Sequence, residues 1–229
     1  MKIVIDRVFA GGISPLPPEG QPTGIFKQPV DGSVALGKEG LAGDAQADRR
    51  VHGGPEKALH HYAADNYPVL AAAFPELASQ LVAGSLGENL SSRGLTEATV
   101  CVGDIFRLGG ARIQVSQPRS PCWKIDRKFG VAGLTRFIAD RGVTGWYYRV
   151  LEGGNLGTGD ALELIDRNPD PITLQRLWQA HLAHRPEADE IAACAATPGL
   201  TPGWVRKLSE RLDWLRRNPE LDLRPKEPL

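Results

Sequence analysis

The chain has 229 residues, 27 basic and 27 acidic side chains and 41% hydrophobic residues. That length buries a sizeable core without disulfides and fits one large domain, or one with a small appendage, and the cancelled charge removes the electrostatic footprint of a general nucleic-acid binder. Three cysteines, Cys101, Cys122 and Cys194, form no CxxC pair, so they indicate neither a disulfide framework nor a structural zinc site, and they fit a reducing compartment.

From the N-terminus, Asp6 and Arg7 break MKIVIDRVFAGG where an export signal needs an unbroken apolar run. The longest charge-free run, 191–205, carries two prolines and two glycines and falls short of the roughly 18 residues of a membrane span. A cytoplasmic protein without membrane contact is expected.

The stretch GLAGDAQADRRVHGGPEKALHHY, residues 40–62, is too polar and glycine-rich for a core and holds His52, His60 and His61. Gly53 and Gly54 free the main chain to approach a ligand, and with Arg49 and Arg50 they could cradle a phosphate; a solvated surface turn explains the same residues. His60 and His61 are adjacent and point to different sides of any regular element, so at most one shares a site with His52. Asp65 then reads as the cap of a helix through NYPVLAAAF, with Pro68 in its first turn. SLGENLSSRGL, 85–95, is a second polar loop; Glu88 and Asn89 could contact a ligand, or Asn89 could take a left-handed turn conformation.

DIFRLGGARIQVSQ alternates on both sides of Gly109-Gly110, which predicts a hairpin. Its second strand stops at Pro118, and the third loop, QPRSPCWKI, follows. Arg119 and Lys124 flank Cys122 and favour its thiolate, the form that attacks or binds metal, while Pro118 and Pro121 stiffen the backbone. A buried filler remains an open reading for Cys122 on these residues alone, and it is the reading that suits Cys101 and Cys194. Neither HxH nor HExxH spacing marks a zinc centre, and nothing marks the orienting partner and oxyanion hole of a Cys-His hydrolase.

VAGLTRFIADRG spaces its apolar residues as a helix, and WYYRVLE through residues 153–155 to GDALELI predicts a second hairpin. Many short strands with inserted helices make the fold mainly β, a barrel or sandwich with long functional loops. RNPDP, 167–171, marks a linker, dividing the chain into 1–166 and 167–229. Three short helices are expected after it, the last with Thr201 as N-cap and Pro202 in its first turn. From Asp170 onward nine basic and nine acidic residues balance, so no basic recognition helix emerges and stable nucleic-acid binding is not expected. The helices read as an appendage docked on the main domain or on a second copy in a homodimer, followed by an extended tail, NPELDLRPKEPL.

In this order, residues 40–62, LGENLSSRGLTE and VGDIFRLGGARIQVSQPRSPCWKI resemble the MOSC domain family (molybdenum cofactor sulfurase C-terminal domain) in its YiiM-type form with a three-helix appendage. The resemblance implies a β-barrel and a molybdenum cofactor (molybdopterin), with Cys122 as the protein's ligand to the metal. It implies reduction of N-hydroxylated compounds, including N-hydroxylated purine bases, to amines. No flavin, haem or iron-sulfur pattern is present, so a separate electron-donating reductase is expected as partner. On this footing His52 or His61 is the proton donor, oriented by Asp44; Arg49, Arg119 and Lys124 hold the cofactor phosphate; and Gly53, Gly54, Glu88 and Asn89, with Ser120 in QPRSPC, contact the cofactor. His60 is left outside the set. The rival reading keeps fold and cofactor but makes the protein a carrier of molybdenum cofactor or sulfur, with Cys122 as transfer group.

Overall fold

The computed structural model describes residues 1–218, so the expected extended tail lies outside the described residues apart from Asn218. Its strands are β1 (Lys2–Val4), β2 (Arg7–Ala10), β3 (Ser14–Leu16), β4 (Gln21–Thr23), β5 (Gln28–Pro29), β6 (Ser33–Gly37), β7 (Gly40–Leu41), β8 (Leu59–Ala63), β9 (Leu90–Ser92), β10 (Ile105–Leu108), β11 (Ala111–Pro118), β12 (Trp146–Glu152), β13 (Gly154–Gly157) and β14 (Ala161–Asp166). The helices are α1 (Arg49–His52), α2 (Tyr67–Ala73), α3 (Lys124–Phe129), α4 (Leu134–Arg141), α5 (Leu174–Leu182), α6 (Ala188–Ala195) and α7 (Pro202–Arg217).

The main sheet runs β1-β14-β10-β11-β12-β8-β9-β2-β5, antiparallel except where β8 and β9 run parallel. β10 and β11 form the hairpin predicted around Gly109-Gly110. Gly109 has φ +54°, and a Cβ there would sit 2.4 Å from the Asn155 carbonyl oxygen, so the turn needs a residue without a side chain. In β11, Ala111, Ile113 and Val115 are buried while Arg112 and Gln114 are partly exposed, the alternation of a half-buried strand.

The expected mainly-β barrel is corrected to a mixed sheet with helices. β1 and β2 are separated only by residues 5–6, yet β1 pairs with β14 and β2 with β9, so the sheet curls strongly. The ladder does not close, because the residues that meet β14 (Lys2–Val4) are not those that meet β9 (Arg7 and Val8). The second expected hairpin is also corrected. β12 pairs with β11 and β8, and β14 with β10 and β1; the glycine-rich stretch between them becomes β13 and pairs with β6. Asp65 does not cap α2, which starts after Asn66; its carboxylate instead accepts from the Gly94 amide at 2.9 Å.

All three expected C-terminal helices are present. Thr201 stands at the N-cap of α7, but its hydroxyl donates to Gln117 Oε1 (3.1 Å) instead of capping, which ties the helix to β11. The segment read as a linker is pinned: the Arg167 guanidinium donates to the Asp104 carboxylate at 2.7 and 2.6 Å, and the Asn168 amide to the Val102 and Pro198 carbonyls at 3.0 Å. Leu174, Leu177, Trp178, Cys194, Trp204 and Leu208 share one buried cluster with Val100, Val102, Ile113 and Val115 of the sheet region. Each such large side chain contributes about 1.5–3 kcal/mol on burial. A second cluster, with Tyr62, Tyr67, Leu70, Leu86, Ile125, Phe129, Leu134 and Ile138, packs α2, α3 and α4 together. Among the described residues no helix is long and apolar enough to cross a membrane.

Candidate functional site

β11 ends at Pro118, where the Arg119 amide donates to the Gly145 carbonyl at 3.0 Å and the chain turns toward α3. Cys122 is held in that turn. Its carbonyl accepts from the Ile125 amide (3.0 Å) and the Thr135 hydroxyl (3.2 Å), and its Sγ accepts from the Lys124 amide (3.4 Å). α3 is anchored in turn, since Asp126 takes the Thr135 and Gly133 amides at 2.6 and 2.9 Å while Ile125 and Phe129 are buried. The thiol is half-buried and free, whereas Cys101 and Cys194 are buried.

Cys122 opens on a cleft with about 620 Å³ of atom-free space, open solvent included. Asp44, His52, Asn89, Arg119 and Lys124 of the predicted set line it with Cys122, and so do Lys27, Lys57, His60 and Tyr147, which the sequence reading did not select. Two buried polar atoms on cleft-lining residues lack any protein partner: Arg119 Nη1 and His60 Nε2. The other end of the Arg119 fork donates to the Leu86 carbonyl at 3.4 Å. Burial, reinforced by Arg119, pushes the His60 pKa well below the ordinary range, so the ring is neutral. His52 is likewise depressed by burial and then by Arg119, Lys124 and Lys57.

Two predicted roles are corrected. His61 lies on the other side of β8 from His60, fully buried, with Nδ1 3.1 Å from Tyr148 Oη, Nε2 2.8 Å from Ser92 Oγ and its ring 4.5 Å from that of Trp146. It cannot deliver a proton to the cleft, and burial lowers its pKa to about 3. Asp44 orients no histidine. It accepts from the Gly11 amide (2.9 Å), Asn89 Nδ2 (3.0 Å), Gln46 Nε2 (3.3 Å) and the ammonium of Lys27. Lys27 and Asp44 form a buried ion pair, their side chains 5% and 0% exposed. Burial pushes the Lys27 pKa down against the pull of Asp44.

Asn89 locks β8 in place: its side-chain oxygen accepts from the His60 amide (3.0 Å), and its own amide donates to the His60 carbonyl (2.7 Å). Asn89 is not left-handed; Gly87, φ +80°, takes that conformation. Glu88 does not line the cleft. It folds the loop beneath it by accepting from Tyr67 Oη and the Gly84 (2.6 Å) and Leu86 (3.2 Å) amides, and burial raises its pKa. Arg49 is exposed, pairs with Glu39 and borders a neighbouring, shallower cleft. Ser120 is exposed, and Gly53, Gly54 and Ser120 lie outside the cleft lining. A Cβ on Gly53 would come within 2.9 Å of Gln46 Oε1, and Gly54, φ +86°, starts the short 3-10 turn Pro55–Lys57.

Among the described residues no group of three or more His, Cys, Asp or Glu side chains is arranged to hold a metal ion. A metal bound at Cys122 would have to bring most of its own ligands. The donor set suits such a group: one soft sulfur, a buried guanidinium nitrogen with nothing to bind, and further cations in Lys57 and Lys124.

The family model for the MOSC domain matches residues 48–163. Protein YiiM of Escherichia coli (strain K12) is 42% identical over 92% of this chain and 93% of its own length. The crystal structure of YiiM from Escherichia coli superposes with a TM-score of 0.77 over 93% of this chain and 94% of that one, at 34% identity. A protein of Gibberella moniliformis named reductase is 33% identical over 82% of this chain, which spans only 33% of the fungal protein.

Proposed function

The chain belongs to the MOSC domain family, and from that premise we propose that it is a molybdenum-cofactor-dependent reductase of N-hydroxylated compounds, N-hydroxylated purine bases among them, fed by a separate reductase. MOSC domains are associated with molybdenum cofactor, and a distant fungal relative carries the name reductase. The observation that carries the reading is a free, half-buried thiol sharing a cleft with a buried arginine and a buried histidine, each with an unpartnered nitrogen. A buried donor without a partner costs roughly 1–3 kcal/mol, a cost removed when an anionic or polar ligand enters.

When bound, the cofactor supplies the two-electron redox chemistry. Cys122 gives the metal a protein ligand, and Arg119 with Lys124 meets the negative charge of the cofactor. His60 offers a neutral ring nitrogen at the cleft wall. The net reaction takes an N-hydroxy group, two electrons and two protons to an amine and water. In this reading His52, half-buried on the cleft wall with its pKa lowered by burial and then by Arg119, Lys124 and Lys57, takes the role of relaying a proton to the departing oxygen. His61 has no part in this.

The test uses protein made in a host that synthesises the cofactor, supplied with a chemical or enzymatic electron donor and N6-hydroxyadenine. Multiple turnovers to adenine are expected, with bound molybdenum near one per chain. Cys122→Ser is expected to lose both metal and activity by at least about 100-fold, beyond the range reported for supporting partners of a metal site. Full activity in that variant would sink the reading. Metal binding without turnover would favour the carrier.

A further inference from the structure

Trp123 stands between two cleft-lining residues, Cys122 and Lys124, yet the residue itself is 54% exposed. Trp146, Trp178 and Trp204 are at most 6% exposed, and Trp214, on α7, is 36% exposed. An indole carries a large apolar payload, so its exposure forgoes stabilisation that three of the other four obtain. The backbone beneath it is firmly held, since the Trp123 carbonyl accepts from the Arg127 amide (3.2 Å) and the Cys122 carbonyl from the Ile125 amide (3.0 Å). The indole is therefore presented outward by a fixed turn.

It borders the shallower cleft, with Gln21, Asp48 and Arg49 among its neighbours. Ala47 and Lys124 line both clefts, so the second opens onto the one that holds Cys122. Gln21 supplies an independent observation: its side-chain oxygen is buried and has no hydrogen-bond partner. An exposed aromatic face beside an unsatisfied acceptor recognises a planar heteroaromatic ring, by stacking on its face and by accepting an N–H from its edge.

We infer that Trp123 and Gln21 form a subsite for the ring of a planar heteroaromatic substrate, stacked on the indole with an edge N–H donated to Gln21 Oε1 and its hydroxylamino group directed into the adjoining Cys122 cleft. This deepens the proposed reductase function and rests on it for the direction of the hydroxylamino group. Ring binding itself needs no turnover.

Calorimetry of the full chain as purified, titrated with adenine and with N6-hydroxyadenine, tests the subsite. Trp123→Ala is expected to weaken both by about 5- to 150-fold, the range of one lost stacking contact. Trp123→Phe keeps affinity within about threefold, because it keeps a ring. Trp123→Leu keeps apolar bulk without a π-face and is expected to behave like the alanine variant. Gln21→Ala weakens binding as well. The subsite is overturned if the leucine variant binds like the native chain, if alanine changes nothing, or if the native chain binds neither base. A chain that binds through Trp123 but never reduces N6-hydroxyadenine overturns the reductase reading alone. Reduction with an unaltered KM in Trp123→Ala overturns the subsite alone.

Discussion

A histidine that is neutral because it is buried resists protonation, and the protein pays for that resistance at low pH. The pKa of His61 is held at about 3 by burial, against an ordinary value of 6.5. The unfolded chain therefore binds a proton that the folded chain refuses once pH drops below 6.5. The stabilisation is whole above that value and is lost as pH falls toward 3, by roughly 3 kcal/mol at pH 4 from this residue. Urea unfolding is expected to show a midpoint that drops steeply between pH 7 and pH 4.5, and less steeply in His61→Gln, whose amide does not titrate; identical slopes would show that His61 is not the cause. The neighbouring residue shows what sequence can and cannot resolve here. LHHYA in a strand puts His60 and His61 on opposite sides, which was legible. Which side faces the cleft depends on pairing with β12, where Tyr147 lies opposite His60 and Trp146 opposite His61, and those partners are more than eighty residues away. Cys122 was legible because its signals, two prolines and two cations, are all within six residues of it.

Short-range and long-range elements divide in the same way. The hairpin at Gly109-Gly110 is written in ten consecutive residues, whereas the chain after β12 carries the same glycine signal but finds β6, more than a hundred residues earlier. Lys27 shows the same limit, since a lone lysine after GIF gives no sign that it will be buried against Asp44. That pair, with Asn89, joins the segment after β4, the segment after β7 and the start of β9 around the cleft. Asp44→Ala removes one half and leaves the Lys27 ammonium buried and unpaired, with an expected loss of about 3–5 kcal/mol. The double variant Lys27→Met/Asp44→Leu has no stranded charge and is expected to recover most of that loss. Chemical denaturation of native, single and double variants decides it: a double variant as unstable as the single one would mean that the hydrogen bonds to Gly11 and Asn89, and not the charge, hold the segment.

At the scale of the molecule, composition changes at residues 167–171 but packing runs straight through. Ile172, Leu174, Leu177, Trp178, Cys194 and Trp204 are buried in the same cluster as Val100, Val102, Phe106 and Val115. Polar contacts cross at the same place: Arg149 donates to the Gly199 carbonyl at 2.7 Å, the Thr201 amide to the Ser116 carbonyl at 3.2 Å, and Trp178 Nε1 to the Ala139 carbonyl at 2.7 Å. The Ala139 contact joins α5 to α4, which belongs to the cluster beneath the Cys122 turn. Ending the chain at Asp170 would uncover this surface and leave the Asp104–Arg167 pair at a frayed end. Exposing the sheet-side partners Val100, Val102, Phe106 and Val115, at about 1.5–3 kcal/mol each, forfeits a sum comparable to the 5–15 kcal/mol by which an ordinary domain is stable. A chain of residues 1–170 is therefore expected to lack a cooperative thermal transition and to bind a hydrophobic dye at 25 °C. A sharp transition within a few degrees of the full chain would mean that the sheet carries its own core and that the helices are an appendage in energy as well as in sequence.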